Sequence, residues 1–178
     1  NIAYSAGRIT TPGESDGHAQ QNVVQVIMLH RIKNSIKSTV LRFSQCYGIG
    51  EKDTPVLMKF IKQAKEKQKI IAQDNEFYLD EIYIKDVIDA ILLVVNKETE
   101  GTFNIGGGKA YSILEMAETA NLIFNNEKNI EVTSGVKKYN QSNFLSIQKI
   151  KEHLNWSPRF DLKKSLIDMK EAYEIRKD

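Results

Sequence analysis

Two glycine stretches are the residues best suited to hold a phosphate. "GIGEKD" begins at Gly48, and "GGGK" runs from Gly106 to Lys109. Glycines let a backbone approach an anion, which a helix N-terminus then stabilises. The first stretch has two glycines of a G-x-G-x-x-G but Asp53 in place of the third. The second follows a strand-like run and lacks the spacing of either phosphate loop. Both read as turns. Cys46 is the only cysteine, so no internal disulfide can form. No histidine is near it in sequence, and a small buried residue is the expected role. One cysteine with scattered histidines is too thin for a structural zinc site, so no metal is expected.

The elements that must position any site alternate between strand-like and helix-period runs. "NIAYSA" reads as a buried strand and "NVVQVIMLHRIKN" as a helix with a broad apolar face. A helix of that kind, over 22–34, could serve a homodimer. "STVLRF" is a second strand ending in the turn "YGIG". Thr54 is expected to cap the next helix, with Pro55 at its first position. "KIIAQ" and "DEIYI" read as strands and "KDVIDAILLVVNK" as an apolar helix, for which Asp86 is the expected cap. Thr102 to Ile105 form a strand, the glycines turn, and Ser112 with Glu115 make a capping box. "NIEVTS" is a further short strand. Two terminal helices follow, capped by Ser146 and Asp161, with Trp156 and Pro158 packing between them. Strand, helix, strand at the front implies a right-handed crossover and a parallel pair. Parallel strands are normally buried in a larger sheet, so the chain is expected to be a piece of a longer protein.

A chain of 178 residues with a net charge of +2 suits one ordinary domain, or a core with a small appendage. Basic and acidic residues alternate, so no pull toward nucleic acid is expected. The Lys-rich "KQAKEKQK" reads as a solvated helix face. No run approaches the roughly 18 apolar residues of a membrane span. Cysteine usage fits a reducing cytoplasm.

Four stretches, in order, carry a resemblance. "VLRFSQCYGIG" (Val40 to Gly50) is similar to an L-R-x-x-N-V-Y-G-P pattern, and "LDEIYIKDVIDAILL" (Leu79 to Leu93) to R-D-F-V-Y-V-D-D-V. "TFNIGGGKAYSILEMAE" (Thr102 to Glu118) is similar to N-I-G-S-G-x-x-x-S-V-x-E-L-A. The tail "LSIQKIKEHLNWSPRFDLKKSL" resembles a closing helix, Gly-Trp-x-Pro and final helix. Together they resemble the C-terminal half of the extended short-chain dehydrogenase/reductase family, the NAD-dependent epimerases and dehydratases of nucleotide sugars. The resemblance implies an α/β fold: the last strands of a Rossmann-like parallel sheet with a small α/β substrate-binding domain. Residues 1–50 would belong to the Rossmann-like part and 51–178 mainly to the substrate domain. Within the latter, 82–105 would partly return to the first sheet.

In that family a Tyr is the general base, and a Lys four residues on lowers its pKa. The resemblance places the pair near "GHAQQN", which contains neither. His18 and Asn22 occupy the i, i+4 positions there. His18 could act as base or simply be a surface or capping residue. Tyr173 and Lys177 are the chain's one Y-x-x-x-K, but they lie in its last helix. Ser5 stands where the family's catalytic Ser or Thr could stand. Ser44 would neighbour the nicotinamide, and Gln45 would replace the Asn that touches the nucleotide sugar. Leu79 replaces the Arg that clamps the diphosphate, and Arg159 could compensate for it. No G-x-x-G-x-x-G occurs. The longer parent would use NAD or NADP, while the chain alone would bind neither tightly. Its small-molecule partner would resemble a nucleotide sugar. A non-catalytic binding or dimerisation module of the same fold, and a reductase acting on another substrate, remain alternatives.

Overall fold

The structure is a computed structural model describing residues 3–6, 38–50, 55–74, 77–128, 130–134 and 144–175. The expected helix over 22–34, its dimer surface and His18 lie outside the described residues. The strands are β1 (Ala3–Ala6), β2 (Thr39–Phe43), β3 (Gln45–Tyr47), β4 (Ile70–Asp74), β5 (Tyr78–Tyr83), β6 (Gly101–Ile105), β7 (Ala110–Ser112) and β8 (Ile130–Ser134). The helices are α1 (Val56–Lys65), α2 (Ile84–Asn96), α3 (Ile113–Ile123), α4 (Gln148–Leu154) and α5 (Leu162–Ile175).

The expected parallel pair is present. β1 runs beside β2, with Ser5 opposite Leu41, and β2 runs beside β6, giving the order β1-β2-β6. Two strands escaped the sequence reading. After Phe43 the chain breaks for one residue and forms β3, which joins a second sheet of order β3-β5-β7. The three-residue β7 pairs antiparallel with β5. Runs this short carry no readable alternation. β4 and β8 form a separate parallel pair.

Two apolar cores lie on opposite faces of the second sheet. Side chains alternate along a strand, so Tyr47, Leu79 and Tyr83 point one way, and Cys46 and Ile82 the other. The first core gathers Leu57, Phe60 and Ile61 of α1, Met116, Ala117 and Ala120 of α3, and Leu166 and Met169 of α5. The second joins Leu41, Phe103 and Ile105 of the parallel sheet to Val87, Ala90 and Val94 of α2. Ile150, Leu154 and Trp156 close it from α4 and the segment after it. Trp156 therefore packs as its position beside Pro158 suggests. Cys46 is half-buried against the same core.

Caps fix the helix starts. The box on α3 is complete: Ser112 Oγ accepts from Glu115 N–H at 3.0 Å, and Glu115 Oε2 accepts from Ser112 N–H at 2.7 Å. Ser112→Ala should lower stability by about 1 kcal/mol in urea denaturation. Asp161 accepts from Lys164 N–H at 2.8 Å, as expected of a cap. Three expectations need correction. Pro55 itself is the cap residue of α1, because its extended backbone shifts the start by one. Ile147, not Ser146, precedes α4, and the Ser146 hydroxyl reaches only Gln148 N–H, at 3.5 Å.

The third correction concerns Asp86. It makes no cap on α2. Its fully buried carboxylate instead accepts from Arg159 N–H at 2.9 Å and Phe160 N–H at 3.0 Å. These N–H groups belong to the link between α4 and α5, where no regular structure supplies an acceptor. Burial pushes the Asp86 carboxyl above the usual carboxylate range, against the pull of those N–H groups and the Arg159 charge.

Candidate functional site

Ligands of open α/β sheets bind outside the carboxyl ends of the parallel strands. Two segments lie there. Ser44 follows β2, and Gly106 to Gly108 follow β6. Ser44 N–H donates to Ile105 O at 3.0 Å, which holds the two strand ends together. β5 then brings Asp80 against both segments.

Asp80 is 3% exposed. Its Oδ1 accepts from Gly107 N–H at 2.7 Å, and its Oδ2 accepts from Leu145 N–H at 3.0 Å. The buried Ser44 hydroxyl lies beside the carboxylate and favours its charged form, without an aligned hydrogen bond to any described residue. Burial nevertheless dominates and raises the Asp80 pKa; Leu145 N–H, Gly107 N–H and Ser44 oppose it. Asp80 lies in the "LDEIYI" stretch, from which sequence reasoning alone draws no role for it. The run of three glycines after a strand was the available signal that a side chain must fit closely against that turn.

Of the expected site residues, the structure brings Gln45 and Leu79 together. Gln45 pairs with Glu81, and Leu79 is two residues earlier on β5, opposite Tyr111. By strand geometry they share one face about 8 Å apart. Gln45 is exposed, and its Nε2 donates to Cys46 O at 3.5 Å. Leu79 is half-buried and packs against the first core. Ser44 and Asp80 lie toward the opposite face. Ser5 is in β1, opposite Leu41, three residues short of Ser44 in the parallel register. The guanidinium of Arg159, the expected compensating cation, pairs with Asp89 of α2 at 3.1 Å.

The turn at Gly106 and Gly107 does not fit a pyrophosphate, because a cradle needs open glycine faces and both of these are filled. A Cβ on Gly106 would meet Asp80 Oδ2 at 2.5 Å, and one on Gly107 would meet Glu81 O at 2.2 Å. The turn is closed against β5. Among the described residues no group of three or more His, Cys, Asp or Glu could hold a metal ion. No helix there is long and apolar enough to cross a membrane.

The sequence matches the model of the NAD dependent epimerase/dehydratase family over residues 14–106. The chain belongs to that family. It is 25% identical over 161 residues to UDP-glucuronic acid decarboxylase 5 of Arabidopsis thaliana, covering 88% of this chain and 47% of that protein. It is 31% identical over 150 residues to a putative UDP-glucose 4-epimerase of Methanocaldococcus jannaschii, covering 80% of this chain and 47% of that protein. The chain thus spans about half the length of these curated relatives. The fold is similar to UDP-N-acetylglucosamine 4-epimerase from Bacillus cereus, with a TM-score of 0.84 at 22% identity over 98% of this chain and 64% of the other. The family member seen here is an α/β chain with part of a Rossmann-like parallel sheet.

Proposed function

We propose that this chain supplies the nucleotide-sugar side of an NAD-dependent epimerase or dehydratase acting on a sugar nucleotide. Residues 1–50 would form the Rossmann-like part and 51–178 mainly the substrate domain, with 82–105 partly returning to the first sheet. The observation behind this reading is the second sheet: Gln45 opens β3 two residues after the end of β2, and Leu79 lies on the same face of the neighbouring β5. The three relatives named above are each named for a UDP-sugar, which supports the substrate class.

The roles follow from the side chains. Gln45 hydrogen-bonds the nucleotide sugar through its amide, and Ser44 neighbours the nicotinamide. Ser5 and His18 are the candidate proton-handling residues. NAD supplies hydride acceptance when it is bound. The 178 residues carry neither a G-x-x-G-x-x-G nor a Tyr/Lys pair at the position the resemblance requires. The chain alone is therefore inactive and binds NAD or NADP weakly.

Leu79 leaves the diphosphate without a guanidinium clamp. Leu79→Arg should raise affinity for UDP-glucose about tenfold by isothermal calorimetry, because a charge-assisted pair to phosphate is worth about 1.5–3 kcal/mol. The aliphatic stem of the new arginine would keep part of the packing against the first core. Unchanged affinity in a folded Leu79→Arg protein would remove this face from the site. Leu79 also favours a second reading, a non-catalytic module of the same fold that binds sugar nucleotides or dimerises. Epimerisation or dehydration of a UDP-sugar by the chain with NAD would rule out that module.

A further inference from the structure

Asp80 joins two segments that pass between the two sheets and a third that leads into α4. β2 continues into β3 through Ser44, β6 continues into β7 through Gly107, and 144–147 leads into α4 past Leu145. Gly107 and Leu145 each donate a backbone N–H to a different oxygen of this carboxylate. The Ser44 hydroxyl is buried beside it. Asn104 of β6 adds a link to the same segment, its Nδ2 donating to Ser146 O at 3.3 Å. The carboxylate itself is carried by β5, the middle strand of the second sheet.

We propose that Asp80 is a positioning residue, which fixes the face bearing Gln45 and Leu79 against the carboxyl ends of the parallel strands. This rests on the reading of that face as the nucleotide-sugar site. Asp80 points away from the ligand face and acts through the two N–H groups. One side chain thereby sets the register of the glycine turn, and so of β7 and Tyr111 opposite Leu79, relative to β2. An amide cannot replace it, because Asn has one acceptor oxygen for two converging donors and sets its own NH2 against the other.

The neighbouring ionisable residues on these segments are Arg42, Cys46, Glu81 and Lys109, and 144–147 carries none. None of the four is a cause of the Asp80 shift, which is set by burial against Leu145 N–H, Gly107 N–H and Ser44. The link should therefore loosen when Asp80 takes up a proton, at a pH above the ordinary Asp value.

The test compares the 178-residue protein with Asp80→Asn by amide hydrogen exchange and by UDP titration. Exchange at Gly107 and Leu145 should quicken about tenfold or more, the effect of losing a charge-assisted bond. The amide of Leu166 in α5 should be unchanged, and UDP affinity should fall about tenfold. Unchanged exchange at Gly107 and Leu145 would overturn the proposal. So would faster exchange there with unaltered UDP affinity. If Asp80→Asn does not fold, the wild-type protein decides. The Gly107 and Leu145 amide shifts should titrate with one midpoint, and UDP affinity should fall as pH drops through it. Separate midpoints would overturn the proposal. A wild-type chain that binds no UDP at any pH would refute the site reading, and the exchange and shift data would still decide whether Asp80 fixes the two segments.

Discussion

Gly107→Ala is expected to lower stability by about 3 kcal/mol or more, or to prevent cooperative folding altogether. The new methyl would lie 2.2 Å from Glu81 O and 3.1 Å from Asp80 Oδ1. The first of these is backbone in the middle of β5, so relief requires the β5–β7 pair to move apart. That movement would also pull Gly107 N–H from Asp80. For a chain of this length the melting temperature should drop by about 6–12 °C, read by circular dichroism. Gly50→Ala is the matched control. Gly50 has φ +96° with nothing within 4 Å of a built Cβ, so the cost there is backbone strain of about 1–2 kcal/mol. Equal melting temperatures for the two variants would show that the turn is not closed against β5.

Asp86→Ala should cost about 3 kcal/mol, the second largest single effect. It strands the N–H groups of Arg159 and Phe160, whose bonds to a carboxylate are worth about 1.5–3 kcal/mol each before relaxation. The loss should appear as a lower urea midpoint, with faster exchange at the Arg159 and Phe160 amides. Asp89→Ala removes only the exposed partner of the Arg159 guanidinium, and should cost no more than about 1 kcal/mol. Similar losses for both variants would mean that the charge of Arg159, not its backbone, is what Asp86 serves.

The sequence made much of this fold readable because the long elements have strong periodicity. The capping box at Ser112 and Glu115, the Asp161 cap and the buried Trp156 follow from local rules, and all are present. β3 and β7 are short and depend on β5 for their existence, so no local pattern could announce them. Asp86 misled for a similar reason. Its place in the first turn of α2 suggests a cap, but its partners are more than 70 residues away in sequence. Of the site, Gln45 and Leu79 were identifiable by their positions in two motifs. That they share a sheet face, and that Asp80 ties that sheet to the glycine turn, required the tertiary pairing.

The face proposed for these residues would take a nucleotide sugar and lack a dinucleotide cradle. Calorimetric titration of the 178-residue protein with UDP-glucose and, separately, with NAD tests it most directly. Saturable heat is expected with UDP-glucose, weakened by Gln45→Ala, and no saturation with NAD at millimolar concentration. Tight NAD binding, or indifference to UDP-glucose, would contradict it.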